Sequence, residues 1–376
     1  MLGKIFTLIG LWAMCLNLWA ISNEELLNNL RGRLKKLPHH QGKLIKSFTN
    51  HTQSYVYDQA LAIMAFSHER DQKNARELLL GLQSLQMKDG SLYFSYYMDG
   101  KSPYPNEEGD KKFAGAVAWV AMAAVHYQKV FHSKEFVKFN AKVLRYLDSQ
   151  MKPFQDTRAL VFNHKDVPGT KWDESETVAL EHNLDAYAAF SEFAKLNPRS
   201  PWKKNPEQIK KFILSMWDSS RMHFWSGGNT KTGGINKEEI YLDNQSWSLL
   251  ALDQQTLKKL DTDEALTLNC ETLYVEHEGV KGFMDSKPTR RPASSQFVWS
   301  EGTAGHLLAM NKVGHKECRG MKPQDFVSSI KKMKKADGGI AYSTTTPNPD
   351  FNTASSVAGT AWLYFASKNF NPFQFN

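Results

Sequence analysis

Residues 177–196 read TVALEHNLDAYAAFSEFAKL and combine an apolar helical stretch with a polar start. Within it, Glu181-His182-Asn183-Leu184-Asp185 places two carboxylates four residues apart, on one face of a helix. Five further segments open small, apolar helical stretches in a similar way. They begin at Tyr57-Asp58-Gln59, Gly115-Ala116-Val117-Ala118-Trp119, Leu242-Asp243-Asn244-Gln245-Ser246-Trp247, Val298-Trp299-Ser300-Glu301-Gly302 and Asn352-Thr353-Ala354-Ser355-Ser356.

The separation of these starts indicates a repeat. They recur about every 60 residues, which suits two helices plus their connections. If such hairpins close into a ring, the starts of the inner helices gather on one face, around one hollow. The sequence therefore predicts an all-α fold, an (α/α)6-type toroid of five to six helical hairpins with short extended segments in the loops. We expect one domain over residues 21–376.

Outer helices are predicted between the inner ones because an amphipathic segment follows each apolar one. A charged amphipathic helix over residues 23–37 is expected to pack outside the ring, and residues 354–367 form the last helix. The predicted pairs, inner segment first, are 57–68 with 71–86, 114–127 with 133–150, 177–196 with 206–219, 243–252 with 263–274 and 300–310 with 323–335.

Composition fits a globular protein and limits its partners. Of the 376 residues, 41% are hydrophobic, which is enough to bury a large core. Lys and Arg number 47 against 39 Asp and Glu, for a formal net charge of +8 that favours anionic partners. The basic residues are scattered, however, and no nucleic-acid-binding motif accompanies them. We expect no nucleic-acid partner, and a monomer.

The N-terminus has the pattern of a secretory signal peptide over residues 1–20. Lys4 supplies a positive charge, Ile5 to Leu18 form a short apolar region, and Leu18-Trp19-Ala20 offers a cleavage site. The apolar run is too short to predict a stable membrane span. We therefore expect a secreted or periplasmic protein.

Two cysteines, Cys270 and Cys318, remain after that cleavage. In an oxidising compartment they could form one disulfide, and two separate buried thiols are an equally good interpretation of the sequence.

The alternation of inner and outer helices resembles the six-hairpin, or (α/α)6-barrel, glycosidase superfamily. The Gln86-Met87-Lys88-Asp89-Gly90-Ser91 turn and the carboxylates at the inner-helix starts support that likeness. The resemblance implies a carbohydrate-active enzyme with a substrate groove across one end of the barrel. It concerns architecture and matches no defined family, so no catalytic pair carries over. The same turn resembles turns of terpene cyclases and prenyltransferase subunits, whose acid-rich signature is not evident here.

Glycoside hydrolysis needs two carboxyl groups, one acid and one base or nucleophile. A carboxylate at a helix start can also simply cap the helix. Several carboxylates among apolar helices nevertheless indicate a polar cavity, because burying them elsewhere is costly. We predict Glu181 as the general acid and Asp243 as the base, with Asp58 and Glu301 as the alternates.

Aromatic and amide side chains accompany these carboxylates. Aromatic faces stack on the apolar faces of sugar rings, and amide and imidazole groups bond to hydroxyls. Each aromatic residue taken alone belongs to the core more often than to a sugar-binding site. The predicted substrate-binding residues are Trp119, His182, Asn183, Asp185, Tyr187, Gln245, Trp247 and Trp299.

Other chemistries have little support in the sequence. There is no His-Glu-x-x-His zinc motif, no Gly-x-Ser-x-Gly elbow and no phosphate-binding loop, and His164 and Asp166 stand isolated. We expect neither a metal nor a cofactor. The favoured interpretation is a polysaccharide-cleaving acid/base glycoside hydrolase. Two alternatives stay open: a polysaccharide lyase using His182, Asn183 and the Arg290-Arg291 loop, and a non-catalytic carbohydrate-binding toroid.

Overall fold

A computed structural model describes most of the chain. The described residues are 21–100, 109–162, 174–286 and 296–375. Features named above that lie outside them are the predicted signal peptide, His164, Asp166, Arg290 and Arg291.

Thirteen α-helices make up about half of the described chain. In chain order they are α1 (Asn23–Gly32), α2 (Val56–His68), α3 (Gln72–Leu85), α4 (Ala114–Phe131), α5 (Val137–Ser149), α6 (Leu180–Leu196), α7 (Asn205–Ser215), α8 (Leu242–Ala251), α9 (Gln254–Leu257), α10 (Thr262–Thr272), α11 (Ser300–Val313), α12 (Pro323–Lys331) and α13 (Val357–Lys368).

Six of these helices form a closed inner ring. In the order α2, α4, α6, α8, α11 and α13, each packs against the next, and α13 returns to α2. They are apolar on all sides, as in α2, where every residue from Ala60 to Phe66 is fully buried. The predicted all-α toroid is therefore confirmed.

Six outer helices surround the ring, and their apolar faces explain their position. In α5 the buried side chains include Phe139, Val143, Leu144 and Leu147, which lie on one helical face. The outer helices α3, α5, α7, α10 and α12 follow inner helices in the chain, whereas α1 packs on α13. The N-terminal helix therefore supplies the sixth hairpin, which the sequence pattern left incomplete.

Short β-strands connect outer helices to inner ones. They are β1 (Leu34–Lys36), β2 (Lys43–Ile45), β3 (Gln53–Tyr55), β4 (Ser95–Tyr97), β5 (Met151–Phe154), β6 (Thr157–Leu160), β7 (Thr177–Ala179), β8 (Trp217–Asp218), β9 (His223–Phe224), β10 (Gly227–Asn229), β11 (Ile235–Asn236), β12 (Tyr274–His277), β13 (Val280–Phe283), β14 (Ile340–Ala341) and β15 (Ser355–Ser356). All pair antiparallel in two-stranded ribbons except β7, β10 and β11, which form one three-stranded sheet.

A buried amide at the fourth residue of three inner helices ties the helix to a strand that lies earlier in the chain. The Asn183 side chain accepts from the Leu160 N–H at 2.7 Å and donates to the Leu160 carbonyl at 3.0 Å. Gln59 bonds in the same two-fold way to Ile45, and Gln245 to Phe224. We call this fourth residue the anchor position, since it fixes how each inner helix is rotated.

Threonine takes the anchor position in two other inner helices. The Thr303 hydroxyl accepts from the Phe283 N–H, and the Thr360 hydroxyl from the Ile340 N–H, both at 3.0 Å. Val117 occupies the position in α4. Five of the six inner helices are therefore tied to a strand by the same residue position.

The structure moves several predicted helix boundaries by three to five residues. The first helix ends at Gly32 instead of residue 37, because the residue before Pro38 disfavours helical backbone and β1 forms instead. Residues 177–179, predicted as helix, pair with β10 as strand β7.

Two contacts close the ring where the ends of the chain meet. Arg33, whose side chain is 6% exposed, forms an ion pair with Asp337 at 2.9 Å and donates to the Ser355 carbonyl at 3.1 Å.

A disulfide joins Cys270 in α10 to Cys318 in the connection before α12, which resolves the two interpretations of these cysteines.

The C-terminal tail covers the end of the ring at which the inner helices finish. Asn371 donates to the Leu250 carbonyl and Gln374 to the Ala251 carbonyl, at 2.9 and 2.8 Å. Between them Phe373 is 1% exposed. The opposite end, where the inner helices begin, holds the cavity described below.

No helix among the described residues is long and apolar enough to cross a membrane.

Replacing Asn183 by alanine tests the anchor position. The substitution leaves the buried Leu160 N–H and carbonyl without partners, so we expect a loss of about 1–3 kcal/mol for each group in the free energy of unfolding. Denaturant titration measures it. Asn311→Ala, an exposed asparagine on the inner helix α11, is the control and should change stability by less than about 0.5 kcal/mol. Equal stability of the two variants would contradict the anchoring role.

Candidate active site

The anchor position directs the second residue of each inner helix towards the ring axis. These six residues are Tyr57, Gly115, Glu181, Asp243, Glu301 and Ala358. The first five line one cavity of about 300 Å³ at the end where the inner helices begin. Its other lining residues are Phe94, Phe113, Ala116, Trp119, Phe162, His182, Asp185, Trp247, Trp299 and Tyr342.

Glu181 and Asp243 form a hydrogen-bonded carboxyl pair. Removal from bulk water raises the pKa of Glu181, and the hydrogen bond with Asp243 opposes that rise. Burial and the charge of Glu181 raise the pKa of Asp243 well above its ordinary value. Two adjacent carboxylates repel each other out of water, so the pair favours sharing one proton more than two separate carboxyl groups would. Glu181 keeps 35% of its side-chain surface exposed, and Asp243 is also only partly buried.

Two more carboxyl groups face this pair. Burial, followed by repulsion from Glu181 and Asp243, raises the pKa of Asp185 well above its ordinary value. Burial raises the pKa of Glu301 to about 8, and repulsion from Asp58 and Asp243 adds to the rise. Hydrogen bonds from Tyr57 and Tyr342 oppose it. The cavity therefore combines four carboxyl groups that compete for protons near neutral pH.

A chain of donors holds Glu301 in place. The Trp362 indole donates to the Tyr57 hydroxyl at 2.7 Å, and the Tyr57 hydroxyl donates to Glu301. All three side chains belong to neighbouring inner helices. The carboxyl group of Glu301 is thus oriented by the ring itself and not by a loop.

Aromatic rings form the floor of the cavity. The indole of Trp247 stacks on that of Trp362, with ring centroids 5.5 Å apart and an angle of 9° between the planes. Trp119 packs edge-on against both, and Phe373 of the C-terminal tail packs beneath Trp119 and Trp247. Trp119 is 1% exposed and lines the cavity as part of this floor, so its role as a stacking surface for sugar stays a prediction.

A second aromatic group forms the wall next to Glu301. Tyr342 stacks on Phe351 with centroids 5.4 Å apart, and Trp299 packs edge-on against both rings. A β-carbon at Gly302 would lie 2.1 Å from the Trp299 ring, so glycine is required there for the indole to cross the helix start. Trp299, the residue before the first turn of α11, lies beside the carboxyl groups in the cavity.

His182 borders the cavity on the side of Glu181. Its ring stacks on Phe162 at 4.3 Å and its Nε2 lies 3.4 Å from a Glu181 oxygen. A β-carbon at Gly115 would lie 2.2 Å from the imidazole, so the glycine makes room for it.

Buried polar atoms at the cavity without a hydrogen-bond partner within the described chain include the indole Nε1 of Trp247 and the Oδ1 of Asp185. Burying a polar atom without a partner costs free energy that a bound hydroxyl-bearing ligand would offset. Such unpartnered atoms are therefore an independent indication of a ligand site.

The structure places four predicted site residues elsewhere. Asn183 and Gln245 are fully buried at anchor positions, where their amides bond to backbone, so they are structural and not substrate-binding. Tyr187 lies on a different face of α6, bonded to Ser191 and near Asp253. Asp58 is not among the cavity-lining residues, since its carboxyl group bonds to Ser47 close to Arg33. Burial nevertheless raises the pKa of Asp58 to about 7.

Several lining residues were not predicted. Tyr57 precedes Asp58, and aligning the anchor residues Gln59, Asn183 and Gln245 would have placed it level with Glu181 and Asp243. Tyr342 and Phe162 follow β14 and β6, and no sequence signal relates these connections to the inner-helix starts.

Comparisons with solved structures agree on the fold. Over 94% of this chain and 99% of its own, a novel α-amylase from Clostridium perfringens superposes with a TM-score of 0.64 at 11% identity. A cellobiose 2-epimerase from Bacillus thermoamylovorans gives 0.67 at 12% identity, over 92% and 99% of the chains. A GH76 α-mannanase from Bacteroides thetaiotaomicron gives 0.64 at 10%, over 94% and 95%.

The predicted (α/α)6-type fold is thus shared with these solved structures. No family model matches the sequence, and no curated protein matches it significantly.

Glu301→Gln tests the electrostatics of the cavity through stability. Because folded Glu301 keeps its proton up to about pH 8 and the unfolded chain releases it near 4.5, this group's stabilising effect is lost as the pH rises through that window. A neutral glutamine avoids the loss. We expect thermal unfolding to show a small difference from wild type at pH 5 and a higher Tm for the variant at pH 8. A difference of the same size at both pH values would contradict the shifted pKa.

Proposed function

We propose that this protein is a glycoside hydrolase that cleaves a neutral polysaccharide in the cavity at the start of the inner helices. The observation that carries the proposal is the cluster of Glu181, Asp185, Asp243 and Glu301 at the bottom of an open, aromatic-walled cavity. Burying four carboxyl groups together destabilises a fold, so their presence is best explained by acid–base chemistry. The solved structures that share the fold include an endoglucanase and an α-mannanase, which is consistent with this class of reaction.

The hydrogen bond between Glu181 and Asp243 changes the roles predicted for them. Carboxyl groups that act as opposed acid and base stand about 6.5–9.5 Å apart in inverting enzymes and about 5–5.5 Å apart in retaining ones. Directly bonded groups are closer than either range. We therefore assign Glu181 and Asp243 to one proton-donating unit, in which Glu181 protonates the glycosidic oxygen and Asp243 shares its proton.

Glu301 then takes the role of the base. It lies on α11, two inner helices away from Glu181 on α6, with Asp243 on α8 between them. On this proposal a sugar ring and a water molecule lie between the two groups, in the cavity that both line. In its ionised form, which becomes the main form only above its pKa of about 8, Glu301 takes a proton from the water as the water oxygen bonds to the anomeric carbon and the bond to the leaving oxygen breaks. The outcome would be inversion.

The electrostatics favour a neutral substrate. No Lys or Arg of the described ranges lines the cavity, while four carboxyl groups do. A polysaccharide lyase needs a group that neutralises the uronic carboxylate, and the cavity instead repels an anion. A binding protein without turnover would have no need for an accessible carboxyl beside a proton-sharing partner. Hydrolysis of a neutral glycan is thus preferred over both alternatives.

We also propose that the protein is exported. The N-terminal sequence has a signal-peptide pattern, and the disulfide between Cys270 and Cys318 is suited to an oxidising compartment.

A polysaccharide panel tests the activity. Purified protein is incubated with neutral glucans, mannans and xylans and with acidic uronans. New reducing ends and unsaturated products are then measured separately. We expect reducing ends from at least one neutral glycan and none from the uronans. Unsaturated products would indicate a lyase, and a panel that gives neither signal would reject the enzyme.

Substitutions of the carboxyl groups test their roles on the glycan that the panel identifies. Glu181→Gln and Glu301→Gln should each lower kcat by about 100-fold or more, since each removes a proton-transfer group. Asp58→Asn is the matched control, because Asp58 is a buried carboxyl at an inner-helix start that does not line the cavity, and it should retain turnover. Near-normal rates in Glu181→Gln would remove this residue from the mechanism.

A further inference from the structure

A second cavity lies beside the first and shares part of its lining. Its volume is about 340 Å³, against about 300 Å³ for the first, and both are at the lower end of the size range of small-molecule sites. Phe162 and Glu181 line both cavities. Glu181, the proposed proton donor, therefore stands where the two cavities meet.

The three-stranded sheet of β7, β10 and β11 builds one wall of this second cavity. Gly227 in β10 has φ +145°, and a β-carbon there would lie 2.0 Å from the Val178 carbonyl oxygen. Glycine is thus required for β10 to pair closely with β7. The pairing holds Thr177 and Ser226 at the cavity, next to the start of α6.

Asn244 is the most informative residue of this cavity. It is the third residue of α8 and 3% exposed, yet its amide oxygen has no hydrogen-bond partner within the described chain. The preceding residue, Asp243, accepts from the Asn244 backbone N–H at 2.7 Å and so fixes the helix start. The unpartnered amide lines the second cavity and is a ready-made acceptor for a ligand hydroxyl or amine.

The character of the lining defines the ligand. Thr177, Ser226, Asn236 and Asn244 offer uncharged polar groups, and no Lys or Arg of the described ranges contributes. Phe162 is half-buried, with one face stacked on His182. An aromatic ring beside neutral hydrogen-bonding groups suits a sugar ring with free hydroxyls.

We infer that the second cavity binds a neutral sugar ring of the same glycan chain, on the other side of Glu181 from the first cavity, with the Asn244 amide oxygen accepting from a ring hydroxyl. This inference rests on the proposed function and specifies where the glycan chain runs across the protein. A chain that fills both cavities passes Glu181, so its glycosidic bond lies beside the proton donor. The shortest good substrate then has at least two rings.

The test measures how affinity depends on chain length. Glucose, mannose and the cello-, malto- and manno-oligosaccharides of two to five rings are titrated by calorimetry into the full chain carrying Glu301→Gln, which suppresses turnover without touching the second cavity. Asn244→Ala and Asn244→Ser are added to this background. Asn269→Ala is the matched control, because Asn269 in α10 is also buried with unpartnered amide atoms and does not line either cavity.

We expect the affinity to rise when the chain becomes long enough to reach the second cavity, and this rise to shrink by about tenfold in both Asn244 variants, in keeping with one lost hydrogen bond. The Asn269 control should keep the full rise. An unchanged rise in the Asn244 variants, with hydrolysis intact in the polysaccharide panel, would overturn the second cavity alone. Absence of both hydrolysis and binding would overturn the proposed function together with it.

Discussion

The fold and the site both depend on a side-chain hydrogen bond at the fourth residue of the inner helices. Gln59, Asn183 and Gln245 each bond to the N–H and the carbonyl of one residue in a strand that lies earlier in the chain. These bonds satisfy buried backbone groups and fix the rotation of each helix about its axis. With the rotation fixed, the second residue faces the ring axis, which brings Glu181, Asp243 and Glu301 into one cavity.

The cluster of carboxyl groups that the proposed reaction needs lowers the stability of the fold. Buried carboxyl groups that repel one another keep protons they would lose in water, and each raised pKa lowers stability as the pH rises. The surrounding structure compensates in part. Tyr57 and Tyr342 bond to Glu301, and the aromatic floor of Trp119, Trp247 and Phe373 fills the ring beneath the carboxyl groups. The rigid ring thereby keeps the carboxyl groups close together, whereas in a looser fold they would move apart and become solvated.

The sequence predicts the toroid well because its inner helices are apolar on all sides, a pattern that few other folds need. It also predicts Glu181, Asp243 and Glu301, which share one helix position. It fails for Asn183 and Gln245, because an amide that binds sugar and an amide that binds backbone look alike in sequence. Asp58 misleads in a similar way: it follows the axis-facing Tyr57 by one residue, and one residue is enough to turn a side chain from the axis to the space between helices. The positions of Tyr342 and Phe162 at the cavity could not be predicted, because they depend on how connections distant in sequence fold back onto the inner helices.

A crystal structure of the Glu181→Gln protein with a neutral pentasaccharide that it binds is the most direct test of the central claim, that the carboxyl-lined cavity is where a glycan chain is cleaved. The account predicts a sugar chain across the start of the inner helices, with a glycosidic oxygen within hydrogen-bond distance of residue 181 and Glu301 on the opposite side of the adjoining ring. A sugar chain bound elsewhere on the protein, with the cavity holding only water, would contradict it.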